Sequence, residues 1–339
     1  VIVDAHCHLS AELPATELVR VMDEGGVDKA VLLAELLEPG ETVTAPRPRR
    51  PFPGLTQSGG VGVYSGRAAR EPDLGSLVST RTLLSPLHFL ERTRYAGAVQ
   101  DGCLNLGPSR LRIRHEPDNG PVEEALRAYP DRFLAFVTVN PQDPSSTDVV
   151  GRYLAKGFSG VKVHAWYHGV DLVRQLYRSA RLCGRAGRPV LLHLGGTYRT
   201  GLAVIELANR LPATNFILAH AGLPYYHDLW QAARTHPNLY FDLAGPYMSA
   251  ELVLHIASRV PPGRLLFASG GPVGLRRADG GHSYSKVRYW IDLLQLGGEA
   301  RKAVLGENLL RLIGQPLPKR RPAFAFETRG GRDSSSPGR

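Results

Sequence analysis

Eight apolar runs of strand length, each followed by a stretch with helical periodicity, predict an α/β chain folded as a (β/α)8 TIM barrel. Two further observations favour this class. Several runs are solidly apolar, as strands covered on both faces of a parallel sheet must be. The turn after the first run carries two histidines, where a doubly wound open sheet usually carries a Gly-rich phosphate loop.

The elements follow in order. Residues 1–5 form the first strand, opened by Val1-Ile2-Val3. Residues 14–24 read as a helix, with Leu18, Val21 and Met22 at helical spacing and Gly25-Gly26 as the stop. Residues 27–34 are a buried strand. The pattern then breaks over residues 39–118, where Pro46-Arg47-Pro48-Arg49-Arg50-Pro51 and Gly59-Gly60 have loop composition. This stretch is expected to be an insertion or lid after strand two, partly disordered, with a helix inside residues 83–104.

The alternation resumes with a helix over 121–128. Strands are expected at 133–139, 160–164, 189–193, 215–220, 238–243 and 264–269. The helices between them fall at 146–156, 170–186, 202–211, 225–235 and 249–259. Two helices, 285–296 and 299–313, close the barrel. The expected organisation is one barrel over residues 1–314 and a disordered tail over 315–339.

The net charge of +10 raises nucleic acid as a partner, and its distribution argues against one. The 39–118 stretch holds eleven arginines against seven acids, and residues 314–339 hold six basic residues against two acids. The periodic remainder is left at only +2, so no basic stripe runs along a folded face. Cys7, Cys103 and Cys183 show neither zinc nor redox spacing, and their odd number argues against a disulfide framework. No basic-then-apolar leader and no membrane-length apolar run is visible, so a cytoplasmic protein is expected. The expected partner is a small-molecule substrate, with no nucleic acid and no membrane. The sequence allows a homodimer.

In a TIM barrel the chemistry gathers where strands end at the carboxyl face. His6 and His8 lie two apart at the end of strand one, so they project together. Lys162 and His164 share a face at the end of strand four. His193 ends strand five and His220 ends strand six. Five of the twelve histidines therefore sit at one end of four strands. Neutral imidazoles gathered this way suit a divalent metal with a position left open for water or substrate. Asp4, on the same strand face as His6 and one step deeper, is either an orienting group for a ligand or a buried polar residue with backbone partners.

The pieces Asp4-Ala5-His6-Cys7-His8, Tyr129-Pro130-Asp131-Arg132-Phe133, Gly157-Phe158-Ser159-Gly160-Val161-Lys162-Val163-His164, Val190-Leu191-Leu192-His193, Leu218-Ala219-His220-Ala221-Gly222 and Gly306-Glu307-Asn308-Leu309-Leu310-Arg311-Leu312 run in one order along the chain. In that order they resemble the amidohydrolase-related group of the amidohydrolase superfamily, which includes aminocarboxymuconate-semialdehyde decarboxylase. The resemblance implies a metal-dependent hydrolase or decarboxylase (a carboxy-lyase) acting on a small carboxylated or lactone substrate. It implies that His6, His8 and His193 are metal ligands, usually to zinc, with manganese as the alternative. It implies that His220 is catalytic, polarising substrate or the metal-bound water. His164, Lys162, Tyr198 and Arg199 are expected on the substrate side.

One position departs from the pattern. The group's last ligand is an aspartate just after strand eight, and here Gly270 stands in its place, within Ser269-Gly270-Gly271-Pro272. Glycine can neither ligate nor accept a proton. Three readings stay open: a catalytically impaired relative that binds a ligand or partner, a substitute carboxylate such as Asp279 or Asp242, or chemistry that needs only a Lewis acid and His220.

Overall fold

The computed structural model describes residues 1–38, 97–106, 109–195, 199–245 and 247–317. Eight parallel strands form one sheet. They are β1 (Val3–His8), β2 (Lys29–Leu33), β6 (Phe133–Thr138), β7 (Gly160–His164), β8 (Val190–His193), β9 (Phe216–Leu218), β10 (Leu239–Asp242) and β11 (Leu265–Leu266), neighbours in that order. The chain beyond β11 closes the ring against β1. Ala5 N donates to Phe267 O at 3.0 Å, Gly270 N to His6 O at 2.8 Å and His8 N to Gly271 O at 2.8 Å. The expected TIM barrel is the fold found.

Helices cover the outside: α1 (Ala15–Gly25), α2 (Gly120–Ala128), α3 (Ser146–Ala155), α4 (Ala165–His168), α5 (Tyr177–Arg185), α6 (Arg199–Arg210), α7 (Tyr226–Ala232), α8 (Ala250–Ala257), α9 (Ser285–Leu293), α10 (Gly298–Lys302) and α11 (Asn308–Leu312). Their starts and stops follow local chemistry. Helix α1 buries Leu18, Val21 and Met22 and ends at Gly26, whose φ of 62° is the left-handed stop that glycine adopts freely. Helix α8 begins where Ser249 accepts a hydrogen bond from Leu252 N at 3.3 Å. Among the described residues no helix is long and apolar enough to cross a membrane.

Two apolar layers follow from strand alternation. Val31, Leu33, Phe136, Leu191, Ile217 and Leu266 fill the barrel interior, together with Leu309 of α11 and Ile313 just past it. Ala30, Leu32, Phe133, Val161, Val190 and Phe241 face the helices instead. Each fully buried large aliphatic side chain contributes about 1.5–3 kcal/mol through removal from water.

Strand β1 is the exception to simple alternation. Its pairing with β2 shifts register between Asp4 and Cys7. Val3 and Ala5 pack inside the barrel, whereas Cys7 packs in the outer layer. The irregularity therefore turns His6 and His8 inward while Asp4 bonds outward, to Ser269 and to Tyr284 ahead of α9. Asp4 and His6 do not share a face, as strict alternation had suggested.

The 39–118 stretch is only partly described; residues 39–96 lie outside the described residues, as do 318–339 of the tail. Of the stretch expected to hold a helix, 83–104, residues 83–96 lie outside the described residues and Gly97 is helical; the expectation is corrected only beyond it. Residues there form β3 (Val99–Gln100) and β4 (Cys103–Leu106), joined in a three-stranded antiparallel sheet by β5 (Ser109–Arg112). The turn between β3 and β4 is Asp101-Gly102, with φ of 49° and 68°. An Asp-Gly pair with both φ positive matches the right-handed twist of a tight hairpin, which is why strand pairing prevails over helix here. A bridge between Leu37, in the loop after β2, and Ile113, just past β5, ties the two segments together. The free cysteines Cys7, Cys103 and Cys183 are all buried.

Candidate active site

The carboxyl ends of the strands surround a cavity lined by His6, His8, His164, His193 and His220. Four elements bring these imidazoles together. Strand β1 supplies His6 and His8, β7 supplies His164, β8 supplies His193, and the turn after β9 supplies His220. Residues 164 and 193 lie opposite each other in the β7–β8 pairing, so their rings stack at 3.9 Å between centroids.

Strand six was expected to run to His220, but β9 stops at Leu218. His220 and Ala221 instead adopt left-handed backbone, with φ of 52° and 59°. Such φ values are uncommon for residues other than glycine and persist where neighbours hold them. Here Asp242 holds the turn: its Oδ1 accepts from His220 N at 2.7 Å and from Ala244 N at 3.1 Å.

The hydrogen bonds assign the tautomers. His6 Nδ1 donates to Asp242 Oδ2 at 2.8 Å, and His8 Nδ1 donates to Ala34 O at 3.0 Å. His220 Nδ1 donates to Ala244 O at 3.0 Å. Each of these rings, when neutral, then presents an Nε2 lone pair. His193 Nδ1 lies 3.2 Å from the His220 Nε2 lone pair and donates to it. His164 has the opposite tautomer, because its Nδ1 accepts from Tyr167 N at 3.1 Å. Its Nε2 carries the proton.

Burial keeps these imidazoles neutral. It lowers His8 to about 3 and His220 to about 4, with Lys162 lowering His8 further. Burial also holds His6, His164 and His193 well below the ordinary histidine value. Lys162, wholly buried, is lowered by the same cause to about 7 and donates from Nζ to His6 Nε2 at 3.3 Å. Neutral imidazoles are the protonation state a metal requires, and His6 and His8 present Nε2 lone pairs in that state.

The His6 and His8 Nε2 atoms lie 3.3 Å apart. Two imidazole nitrogens bound at 2.0–2.1 Å to one tetrahedral ion would be separated by about 3.3–3.4 Å. With both Nδ1 protons committed elsewhere, neither Nε2 can donate to the other. The pair therefore fits a shared cation. Among the described residues no group of three His, Cys, Asp or Glu side chains forms a ready-made cage.

The remaining expected residues are placed as follows. Tyr198 lies outside the described residues. Arg199 is exposed on the first turn of α6 and is not among the residues lining the cavity. Asp279 is exposed and accepts from Arg277 at 2.6 Å, so it does not reach the cavity. Arg276 donates from Nε to Glu12 at 2.6 Å. Asp242 is fully buried on β10 and orients His6.

Gly270 lines the cavity with φ of 66°, and a Cβ placed on it would lie 2.1 Å from Gly245 O. The backbone after β10 occupies the room that a side chain at 270 would need.

Three contributors were missed in the sequence. Tyr247 lines the cavity and meets His220 edge-on at 4.8 Å. Leu111 of β5 reaches the same cavity, so the insertion supplies part of its wall. Glu35, just past β2, is the third. None carries a local motif; only the position of Glu35 just after a strand end hinted at the site.

The family model described as Amidohydrolase matches residues 110–315. No curated protein matches the chain. Solved structures share its fold at low identity. An uncharacterized TIM-barrel protein from Bordetella bronchiseptica is 14% identical, with a TM-score of 0.56 over 93% of this chain and 98% of that one. A 5-carboxyvanillate decarboxylase from Novosphingobium aromaticivorans, solved with bound manganese, is 15% identical, with a TM-score of 0.54 over 93% and 97%. A probable 2-pyrone-4,6-dicarboxylic acid hydrolase from Acinetobacter baumannii is 12% identical, with a TM-score of 0.53 over 92% and 99%. With the barrel, the histidines at its carboxyl end and a family match over more than half its length, the chain belongs to the amidohydrolase family of enzymes.

Proposed function

We propose that this protein is a metal-dependent hydrolase or decarboxylase of a small carboxylated or lactone substrate. The observation that carries the reading is the His6–His8 pair, with Nε2 atoms 3.3 Å apart and both Nδ1 protons held elsewhere. His6, His8 and His193 would hold a divalent ion, zinc or manganese. The named functions of the decarboxylase and hydrolase neighbours, one of them solved with manganese, support this class. When bound, such an ion supplies Lewis-acid polarisation of a substrate oxygen or of water.

The chain's own residues do the rest. Tyr167, stacked on His164 at 3.6 Å, and Tyr247 offer flat walls for a planar substrate. Leu36, Leu37, Leu111, Pro272 and Val273 line the cavity with apolar surface that excludes water. His164 presents its Nε2–H as a donor to a substrate oxygen. His220, held in its strained turn and kept neutral by burial, accepts from His193 Nδ1 at Nε2, and that nitrogen can take a proton once this contact is broken.

Metal analysis of protein purified without chelator tests the reading. Zinc or manganese near one equivalent in wild type, lost in His6→Ala, is the expected result. No metal above background in wild type would remove it. The second reading, a relative that binds a ligand without turnover, is favoured by Gly270 alone. Metal-loaded protein without turnover on a panel of aromatic carboxylates and lactones would favour it.

A further inference from the structure

We infer that the cavity takes an acid with a single carboxylate and an apolar remainder, and that Leu111 of β5 sets this preference. The inference rests on the small-acid reading above and narrows its substrate class. The polar and apolar parts of the cavity come from different segments. Its imidazoles stand at the ends of β1, β7 and β8 and in the turn after β9. Leu36, Leu37 and Leu111 come from the loop after β2 and from the inserted sheet. Among the described residues that line the cavity there is no lysine or arginine.

Leu111 belongs to a segment rich in arginine. The run Arg110-Leu111-Arg112-Ile113-Arg114 alternates arginine with an aliphatic residue. Neighbours on a strand point to opposite faces, so the face that bears Leu111 turns both flanking arginines away. Arg112 pairs with Glu38 at 3.6 Å and Arg110 with Asp101 at 3.9 Å, and neither lines the cavity. A slip of one residue would exchange leucine for arginine in the wall. Several contacts hold the register against such a slip. Leu104 lies opposite Leu111 in the β4–β5 pairing. Past β5 the chain runs along the loop after β2, with Glu38 N donating to Arg112 O at 3.0 Å and Arg114 N to Leu36 O at 2.8 Å. From α4, His168 Nε2 donates to Arg114 O at 3.0 Å.

Solvation turns this arrangement into a preference. One carboxylate of a ligand can meet the imidazole end, where His164 Nε2 carries a proton. A second would lie against leucine, with no lysine or arginine among the described lining residues to pair with it. An unpaired charge taken out of water is costly. A methyl group in the same place gains from burial instead.

The test is isothermal titration calorimetry of four acids into protein supplied with manganese. 3-Methylbenzoate is compared with isophthalate and 4-methylbenzoate with terephthalate, so each pair differs only in methyl against carboxylate. At least one methyl acid is expected to bind about tenfold tighter than its partner, or more. Leu111→Arg is expected to narrow that gap by about fivefold or more, and Leu111→Ala to narrow it less. Thermal melting checks the fold of each variant, and the wild-type comparison needs neither. Dicarboxylates within about threefold of their methyl partners in both pairs overturn the inference and leave the small-acid reading standing. An unchanged gap in a variant that melts as wild type does overturns the role of Leu111. No binding of any of the four acids overturns the small-acid reading, and the inference with it.

Discussion

His6 Nδ1 donates to Asp242 Oδ2 across the barrel mouth at 2.8 Å, and both side chains are buried. Strands β1 and β10 are thereby joined through one hydrogen bond that sets a tautomer. The same carboxylate holds His220 in its left-handed turn through His220 N. One buried group thus orients two imidazoles contributed by different strands.

Asp242→Asn is expected to weaken metal binding by about 10- to 100-fold, the usual effect of losing the partner behind a metal-bound histidine. An amide at 242 can meet His6 Nδ1 with its NH2 group and so favour the wrong tautomer. Competition against a chelating dye measures the change. An affinity equal to wild type would mean that the contact is only a packing feature.

Gly270→Asp is expected to destabilise the protein without restoring the aspartate's role. The new Cβ would lie 2.1 Å from Gly245 O, at a φ of 66° that side chains rarely adopt. The backbone conformation alone costs about 1–3 kcal/mol. Urea unfolding at neutral pH should show the loss. Unchanged stability together with tighter metal binding would show that the loop accommodates a side chain, contrary to this packing.

His220→Asn and His220→Ala are expected to differ in stability and agree in activity. Asparagine tolerates left-handed backbone better than alanine does, so the asparagine variant should melt higher. Both lose the imidazole and, with it, about 100- to 10,000-fold in kcat on any substrate found. Thermal melting with steady-state kinetics separates the backbone role from the side-chain role.

Lys162 gives a pH signature in the metal-free protein. Its folded value, lowered by burial from 10.5 to about 7, lies below the unfolded one. The unfolded chain therefore binds more protons between those values, and stability rises with pH across that window. The stabilising contribution is complete above pH about 10.5 and is lost as pH falls through about 7. Lys162→Met should flatten this rise, by a few kcal/mol at most. Chemical denaturation at pH 6 and pH 9 compares the two proteins; parallel profiles would show that Lys162 keeps its ordinary value.

Histidines at 164 and 193 were legible because strand alternation is local. An apolar run that ends in a polar residue places that residue at the strand's end whatever packs around it. The same rule failed at Asp4, because the β1–β2 register shift depends on a neighbouring strand. It failed differently at the end of the 83–104 stretch, where Asp101-Gly102 is a hairpin signal embedded in an apolar stretch that reads equally well as helix.

By itself the sequence determined the strand–helix alternation, the barrel and the gathering of five histidines at one end of it. Those follow from side-chain periodicity and from the order of elements, which are properties of short segments. Only the tertiary structure decided what surrounds the histidines. Asp242 meets His6 across 236 residues of sequence. Glu35 and Leu111 reach one cavity from separate loops, and Gly245 closes the space at Gly270. Such contacts depend on ring closure and on how one backbone packs against another, and no spacing along the chain encodes them.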